Sequence, residues 1–95
     1  MAAIGLLTLD IHLQDTHSLK EKRHVLLRLK DRLCNKFNVA VAELDYQDLW
    51  QRSAIGVVSI SSSEKNLRQV LEGAEKEAES IIEEFGSVVS NIELL

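Results

Sequence analysis

Three histidines and one cysteine are the residues of this 95-residue chain best suited to metal binding or nucleophilic chemistry, and they are His12, His17, His24 and Cys34. Protein zinc sites use two closely spaced pairs of such residues, which this chain does not provide. No residue is placed by the sequence as a base for the thiol, so we predict a small core or boundary residue at Cys34. We predict no metal site, and ordinary surface or capping roles for the histidines.

Four carboxylates could support acid–base chemistry or bind a divalent cation, and they are Asp10, Glu43, Asp45 and Asp48. The sequence gives no distance between them, and a solvated rim beside Arg52 explains them equally well. The four glycines are scattered and form no phosphate-binding loop. We therefore predict no catalytic residues and no cofactor. An enzyme or small-ligand binder that uses these carboxylates or His12 stays open as a minor alternative.

Basic side chains are concentrated between positions 20 and 36, where seven of the eleven Lys and Arg residues stand against two acids. This segment follows a capping box at Ser18–Glu21 and predicts a helix with one apolar side, formed by Leu19, Leu26, Leu29, Leu33 and Phe37. The remaining sides are cationic and predict contact with nucleic-acid phosphates. The candidate residues are Lys20, Lys22, Arg23, Arg28, Lys30, Arg32 and Lys36. The alternative is a solvated helix face that forms salt bridges with the acidic remainder of the chain.

The only tryptophan, Trp50, lies in a stretch that is neither a clear strand nor a tight turn. Tryptophan is enriched at interface hot spots, so an exposed Trp50 could anchor a partner. Gln47, Gln51 and Arg52 could form hydrogen bonds across the same interface. The alternative is that Trp50 folds back over the edge of the core.

The periodicity of apolar residues predicts the order strand, helix, strand, strand, helix, strand. The predicted strands cover 3–13, 39–44, 53–61 and 88–95, and the second helix begins at a capping box at Ser61–Glu64 and ends at Gly86 in a left-handed turn. Gly73 inside this helix is predicted to allow close packing. The order predicts an α+β, ferredoxin-like βαββαβ fold, a four-stranded antiparallel sheet with both helices on one face.

That architecture leaves one sheet face without helices. Ile4, Leu6 and Thr8 are predicted to lie on it, together with one apolar set from the third strand. Monomeric proteins rarely expose a large apolar patch, so we expect a partner there, most simply a second copy of the chain in a homo-oligomer.

Length and composition indicate a single domain over residues 1–95. A single cysteine permits no internal disulfide and fits a reducing cytoplasm. No basic region precedes an apolar one at the start, so we expect no secretory signal. No apolar run approaches the ~20 residues of a membrane helix, so we expect no membrane partner.

Two motifs resemble the YlxP-like family of small bacterial proteins, a domain of unknown function. They are Ser18-Leu19-Lys20-Glu21-Lys22-Arg23, and Gln47-Asp48-Leu49-Trp50-Gln51-Arg52 followed by Ile55-Gly56. The resemblance covers nearly the whole chain and implies a ferredoxin-like α+β fold and a bacterial cytoplasmic protein. Genes of that family often lie in operons with transcription-termination, translation-initiation and ribosome-binding factors, which suggests a role linked to RNA or the ribosome.

The leading hypothesis is therefore a non-enzymatic accessory protein that contacts structured RNA or a ribosomal particle through the basic helix. The alternative is a homo-oligomeric protein-interaction module that uses the open sheet face.

Overall fold

A computed structural model describes all 95 residues, and it has the predicted order of elements. They are β1 (Ala3–His12), α1 (Leu19–Lys36), β2 (Ala40–Asp45), β3 (Arg52–Ser61), α2 (Glu64–Ile82) and β4 (Ser87–Leu94). The strands form one antiparallel sheet in the order β2-β3-β1-β4. The ferredoxin-like fold is confirmed, and β1 and β3 are the two central strands as their apolar patterns predicted.

The core lies between the sheet and the two helices. Leu7, Leu9 and Ile11 alternate along β1 and are fully buried, because successive side chains of a strand point to opposite faces. Leu29 and Leu33 from α1 pack into the same cluster as the apolar stripe of α2. The alternate residues of β1 lie on the other sheet face, which no helix covers. Each central strand and each helix therefore has one side in the core and another side outside it.

The two helix starts differ in how well they were predicted. The Ser18 hydroxyl accepts a hydrogen bond from the Glu21 amide at 3.1 Å, which confirms the cap of α1. The predicted start of α2 at Ser61 is wrong, because Ser61 remains in β3. Ser63 caps α2 instead, and its hydroxyl accepts from the Asn66 amide at 3.2 Å.

Two glycines lie in close contacts with other parts of the chain. A Cβ on Gly73 would lie 2.8 Å from Cε1 of Phe37, which confirms the predicted close contact. The predicted left-handed turn at Gly86 is wrong, because no glycine has a positive φ. A Cβ on Gly86 would instead collide with the backbone oxygen of His12. Gly86 therefore lets the chain pass close to the end of β1 before β4 begins.

Neither helix is long and apolar enough to cross a membrane.

Candidate functional site

Lys22 is buried, with a relative exposure of 1%. Its ammonium group donates hydrogen bonds to the backbone oxygens of Tyr46 and Leu49 at 2.5 Å each, and lies 3.1 Å from Oε2 of Glu43. Three acceptors match the three N–H donors of a lysine ammonium. The prediction that Lys22 contacts RNA phosphate is therefore wrong, because its charge is enclosed and already satisfied.

A signal in the sequence could have revealed this burial. Lys22 precedes Val25 and Leu29 by three and seven positions, so it lies on the apolar stripe of α1. A lysine on such a stripe needs an acceptor from another element, because an unpaired buried charge is very costly. Its exposed basic neighbours Lys20 and Arg23 hide this signal when the helix is judged by charge alone.

Glu43, which is partly exposed, provides the carboxylate of this pair. Its Oε2 also accepts a hydrogen bond from the buried hydroxyl of Ser53 at 2.6 Å. Asp45 is exposed, and its Oδ1 accepts from the Tyr46 amide at 2.8 Å. Asp10 pairs with Arg52 on the open sheet face. Asp10, Glu43 and Asp45 therefore make separate local contacts, while Asp48 is exposed and forms no ion pair. No group of His, Cys, Asp or Glu side chains is arranged to hold a metal ion.

The β2–β3 loop, residues 46–51, is held in place by hydrogen bonds from residues on its buried side. Lys22 holds it at two carbonyls, the Thr16 hydroxyl lies 2.8 Å from the backbone oxygen of Trp50, and the Leu13 amide donates to the backbone oxygen of Gln51 at 2.9 Å. Tyr46 begins the loop in the left-handed region, with φ 65°. A tyrosine there is strained and persists only when its surroundings hold it. The loop is thus a fixed structure in which these buried contacts determine the path of the backbone.

The loop presents apolar side chains outward. Leu49 is 50% exposed and Trp50 is 45% exposed, so Trp50 does not fold back fully over the core edge. Gln47 is also exposed, while the Gln51 amide makes long hydrogen bonds to the backbone oxygens of Gln14 and Thr16 at 3.5 and 3.4 Å. The backbone of the loop is therefore held by hydrogen bonds to the rest of the chain, while the Trp50 side chain at its tip stays accessible to solvent.

Arg52 is engaged within the chain. Its guanidinium donates to both carboxylate oxygens of Asp10 at 3.3 and 3.2 Å, and lies over the Tyr46 ring at 4.1 Å. The hydrogen bond from Arg52 holds the pKa of Asp10 below its ordinary value, against an opposing effect of burial, and the same pair raises the pKa of Arg52. Arg52 thus links the open sheet face, through Asp10, to the loop, through Tyr46.

Three more of the predicted RNA-binding cations form ion pairs with carboxylates of α2 or of the turn that follows it. Arg28 lies 3.1 Å from Glu84, while Arg32 and Lys36 lie 3.0 and 2.8 Å from the two oxygens of Glu77. The hydrogen bond from Lys36 lowers the pKa of Glu77, with Arg32 adding to the effect and burial opposing it. The side of α1 that faces α2 is therefore largely neutralised. Lys20, Arg23 and Lys30 are exposed and form no ion pair.

The uncovered sheet face carries an apolar patch of five side chains: Ile4, Leu6, Leu44, Val58 and Ile60. Ile60 and Leu44 are the most exposed, at 56% and 54%. Beside them is a shallow depression of about 180 Å³, lined by Leu6, Leu44, Val58 and small residues of β2 and β3. We call these five side chains the apolar patch.

Cys34 is exposed on α1, so the prediction of a core or boundary position is wrong. Its position on the helix lies away from the stripe that contains Leu29 and Leu33.

The fold and the site define a small ferredoxin-like α+β protein whose distinctive features are a lysine-fastened loop and an uncovered apolar sheet face. The sequence model of the family described as "Protein of unknown function (DUF503)" matches residues 4–90. The chain belongs to this family, which confirms the resemblance found in the two motifs. A relative from Bacillus subtilis, "Uncharacterized protein YlxP", is 47% identical over an alignment of 72 residues, and the match covers 72% of this chain and 78% of that protein.

Solved structures share the fold with little sequence similarity. The de novo designed protein Foldit4 matches with a TM-score of 0.62 at 9% identity, covering 100% of this chain and 97% of the design. YxeP of Bacillus subtilis, a dinuclear metal-binding peptidase of the M20 family, matches at 0.63 and 11%, covering 99% of this chain and 26% of the peptidase. SnoaB, a cofactor-independent oxygenase from Streptomyces nogalater, matches at 0.55 and 12%, covering 100% and 92%. These similarities describe the fold alone.

Proposed function

We propose that this protein is a non-enzymatic interaction module that forms a homodimer through the apolar patch. The single observation that carries the proposal is that Leu44, Val58 and Ile60 are 54%, 38% and 56% exposed on a sheet face that no helix covers. Apolar surface of this kind on a soluble protein marks an interaction site. Two such sheets can pack face to face about 10 Å apart, with side chains of both faces interdigitating.

A second copy of the chain is the partner that the patch favours. A two-fold dimer uses the same surface on both subunits, so that surface needs projections and recesses of its own. Ile4 and Ile60 project from the patch, whereas the small residues Ala40, Ala42 and Gly56 lie in the neighbouring depression. The isoleucines of one subunit can therefore enter the depression of the other.

Sedimentation velocity over a wide concentration range tests this proposal. We expect wild-type protein to sediment as a dimer and Ile60→Glu to sediment as a monomer, because a buried carboxylate without a partner is costly. Leu27→Glu is the matched control, since Leu27 is equally exposed at 56% but lies on α1. It is expected to keep the dimer. A wild-type protein that is monomeric at the highest concentration would contradict the proposal.

Contact with structured RNA or a ribosomal particle is the second candidate. Four of the seven predicted cations are already paired with carboxylates, so less positive charge is available than the sequence suggested. The observation that still favours RNA is that Lys20, Arg23 and Lys30 are exposed and unpaired. Filter binding of ribosomal RNA across a salt series tests it. An affinity that is insensitive to salt, or unchanged in the triple variant Lys20→Glu/Arg23→Glu/Lys30→Glu, would rule out RNA binding through these cations.

We propose a cytoplasmic location for either activity. The lone Cys34 thiol is exposed and forms no disulfide, which fits a reducing compartment.

A further inference from the structure

β2 is an edge strand whose outer side is unpaired. In the sheet order β2-β3-β1-β4 its only neighbour is β3, so one row of backbone N–H and C=O groups remains available. Proteins commonly protect such an edge with charged side chains, with Pro or with a β-bulge. β2 contains no Lys or Pro, and its acids Glu43 and Asp45 lie towards its carboxyl end. A register shift between Glu43 and Asp45 ends the regular pairing. The segment from Ala40 to Glu43 is therefore a suitable template for another strand.

A groove of about 270 Å³ lies between this strand and α1. Its walls are mainly apolar and include Leu26, Leu27 and Val41. Glu43 also lines the groove, but its carboxylate is already paired with Lys22. Leu27 is 56% exposed although it belongs to an otherwise polar surface of α1, and the core gives no reason for a leucine there. Every second side chain of a strand added to β2 would point towards α1 and into this groove.

Two cations of α1 also line the groove. Arg23 and Lys30 are seven residues apart, which is two helical turns or about 10 Å. Neither forms an ion pair, whereas Arg28, Arg32 and Lys36 on the side facing α2 all do. Unpaired cations beside an apolar groove are complementary to a segment in which carboxylates flank an apolar side chain. The other edge strand, β4, is unpaired on one side as well, but its nearby groove contains Lys76 together with Glu79 and Glu83.

We propose that the groove between α1 and β2 binds an extended acidic segment of a partner protein, which adds to β2 as a fifth strand. Backbone hydrogen bonds to the edge of β2 supply affinity, and the groove with Arg23 and Lys30 selects the side chains. The groove lies on the helix side of β2 and the apolar patch on the other side of the sheet, although Val41 and Ala42 border both the groove and the depression beside the patch. The side chains of Arg23, Lys30 and Leu27 belong to the groove alone.

A capped fluorescent peptide tests the proposal, with Thr at alternate positions and Glu, Leu and Glu between them. We expect saturable binding to the full chain by fluorescence polarisation, with at least about tenfold loss of affinity in Arg23→Glu/Lys30→Glu. Lys65→Glu/Lys76→Glu is the control, because it makes the same change of charge on α2. It is expected to bind within about twofold of wild type. Circular dichroism checks that both variants fold. Leu27→Ser is a second test that leaves the charges unchanged, and it is expected to weaken peptide binding because Leu27 lines the groove.

NMR chemical shifts distinguish strand addition from attraction by charge alone. On peptide binding we expect the largest backbone changes at Ala40–Glu43 and slower amide exchange there, with little change at β4. Loss of binding at physiological salt, or shifts confined to β4 or to the apolar patch, would overturn the proposal. Tighter binding of a structured RNA than of the peptide, with the same dependence on Arg23 and Lys30, would also overturn it. Ile60→Glu is expected to leave peptide affinity unchanged, so failure of the dimer and failure of this site are distinguishable.

Discussion

The buried Lys22 and the partly exposed Glu43 form an ion pair, with 3.1 Å between Nζ and Oε2, next to the loop that carries Trp50. Lys22 belongs to the first of the two family motifs, and the loop belongs to the second. The same ammonium that pairs with Glu43 binds the backbone oxygens of Tyr46 and Leu49. The two motifs, separated along the chain, are therefore parts of one structural unit whose exposed tip is Leu49 and Trp50.

Replacing Lys22 is expected to destabilise the fold strongly. Lys22→Met removes the ammonium but leaves Glu43 and two backbone oxygens without their partner. Removing one member of a fully buried ion pair costs about 3–5 kcal/mol. The loss expected here lies at the lower end, because Glu43 is partly exposed and keeps its hydrogen bond from Ser53. Urea unfolding followed by circular dichroism measures the loss. Lys20→Met is the control, since Lys20 is exposed and the expected change is within about 0.5 kcal/mol. Equal stability of the two variants would contradict the structural role of Lys22.

The Thr16 hydroxyl is expected to hold the tip of the loop. It is buried and lies 2.9 Å from the backbone oxygen of Leu13 and 2.8 Å from that of Trp50. Thr16→Val keeps the shape but removes the donor, and an unsatisfied buried polar group costs about 1–3 kcal/mol. We expect faster hydrogen exchange at residues 46–51 and a shift in Trp50 fluorescence. Thr16→Ser retains the hydroxyl and is expected to resemble wild type; identical behaviour of Val and Ser variants would argue against this hydrogen bond.

Two glycine substitutions are expected to differ in severity. Gly86→Ala places a methyl group against the backbone oxygen of His12, which cannot move without disturbing the end of β1. Gly73→Ala meets the Phe37 ring, a side chain that can shift, and gains about 1 kcal/mol of helix propensity. We therefore expect Gly86→Ala to lower the urea midpoint markedly and Gly73→Ala to have a smaller effect of either sign. The reverse order would be inconsistent with the packing at these positions.

Acid is expected to weaken the contacts between α1 and α2. Lys36 and Arg32 lower the pKa of Glu77 in the folded state, so the unfolded chain binds more protons as the pH falls. The stabilisation is therefore complete above the ordinary pKa of about 4.5 and is lost as the pH falls through the lower folded value.

Urea unfolding between pH 7 and pH 2 measures this dependence. Glu77→Gln is expected to flatten the acid side of the stability profile. Glu79→Gln, an exposed position on the same helix without an ion pair, is expected to keep the wild-type slope. A Glu77→Gln profile with an unchanged slope would show that the pair with Lys36 does not form in solution. Asp10→Asn tests the contribution of the Arg52 pair in the same way.

The fold could be predicted from the sequence because its signals are local. Alternation in β1 placed Leu7 and Leu9 in the core, and Ser18 followed by Glu21 located the start of α1. The start of α2 was less certain, because three consecutive serines offered several caps and only the length of the β3 ladder selected Ser63.

The candidate site was only partly predictable. Trp50 and the apolar residues of the open face were found from residue type and periodicity. The pairing of the basic residues was not, because their partners lie far away along the chain: Arg28 and Glu84 are 56 residues apart, and Lys36 and Glu77 are 41 apart.

The sequence by itself determined the order of the elements, the core faces of the strands and helices and the uncovered face of the sheet, since side-chain periodicity follows directly from backbone geometry. Only the tertiary structure decided which charges are free. It buried Lys22 with Glu43, paired the α2 side of α1 with acids, and left Arg23 and Lys30 beside an open strand edge. Electrostatic pairing depends on distances between elements, and those distances exist only once the chain has folded.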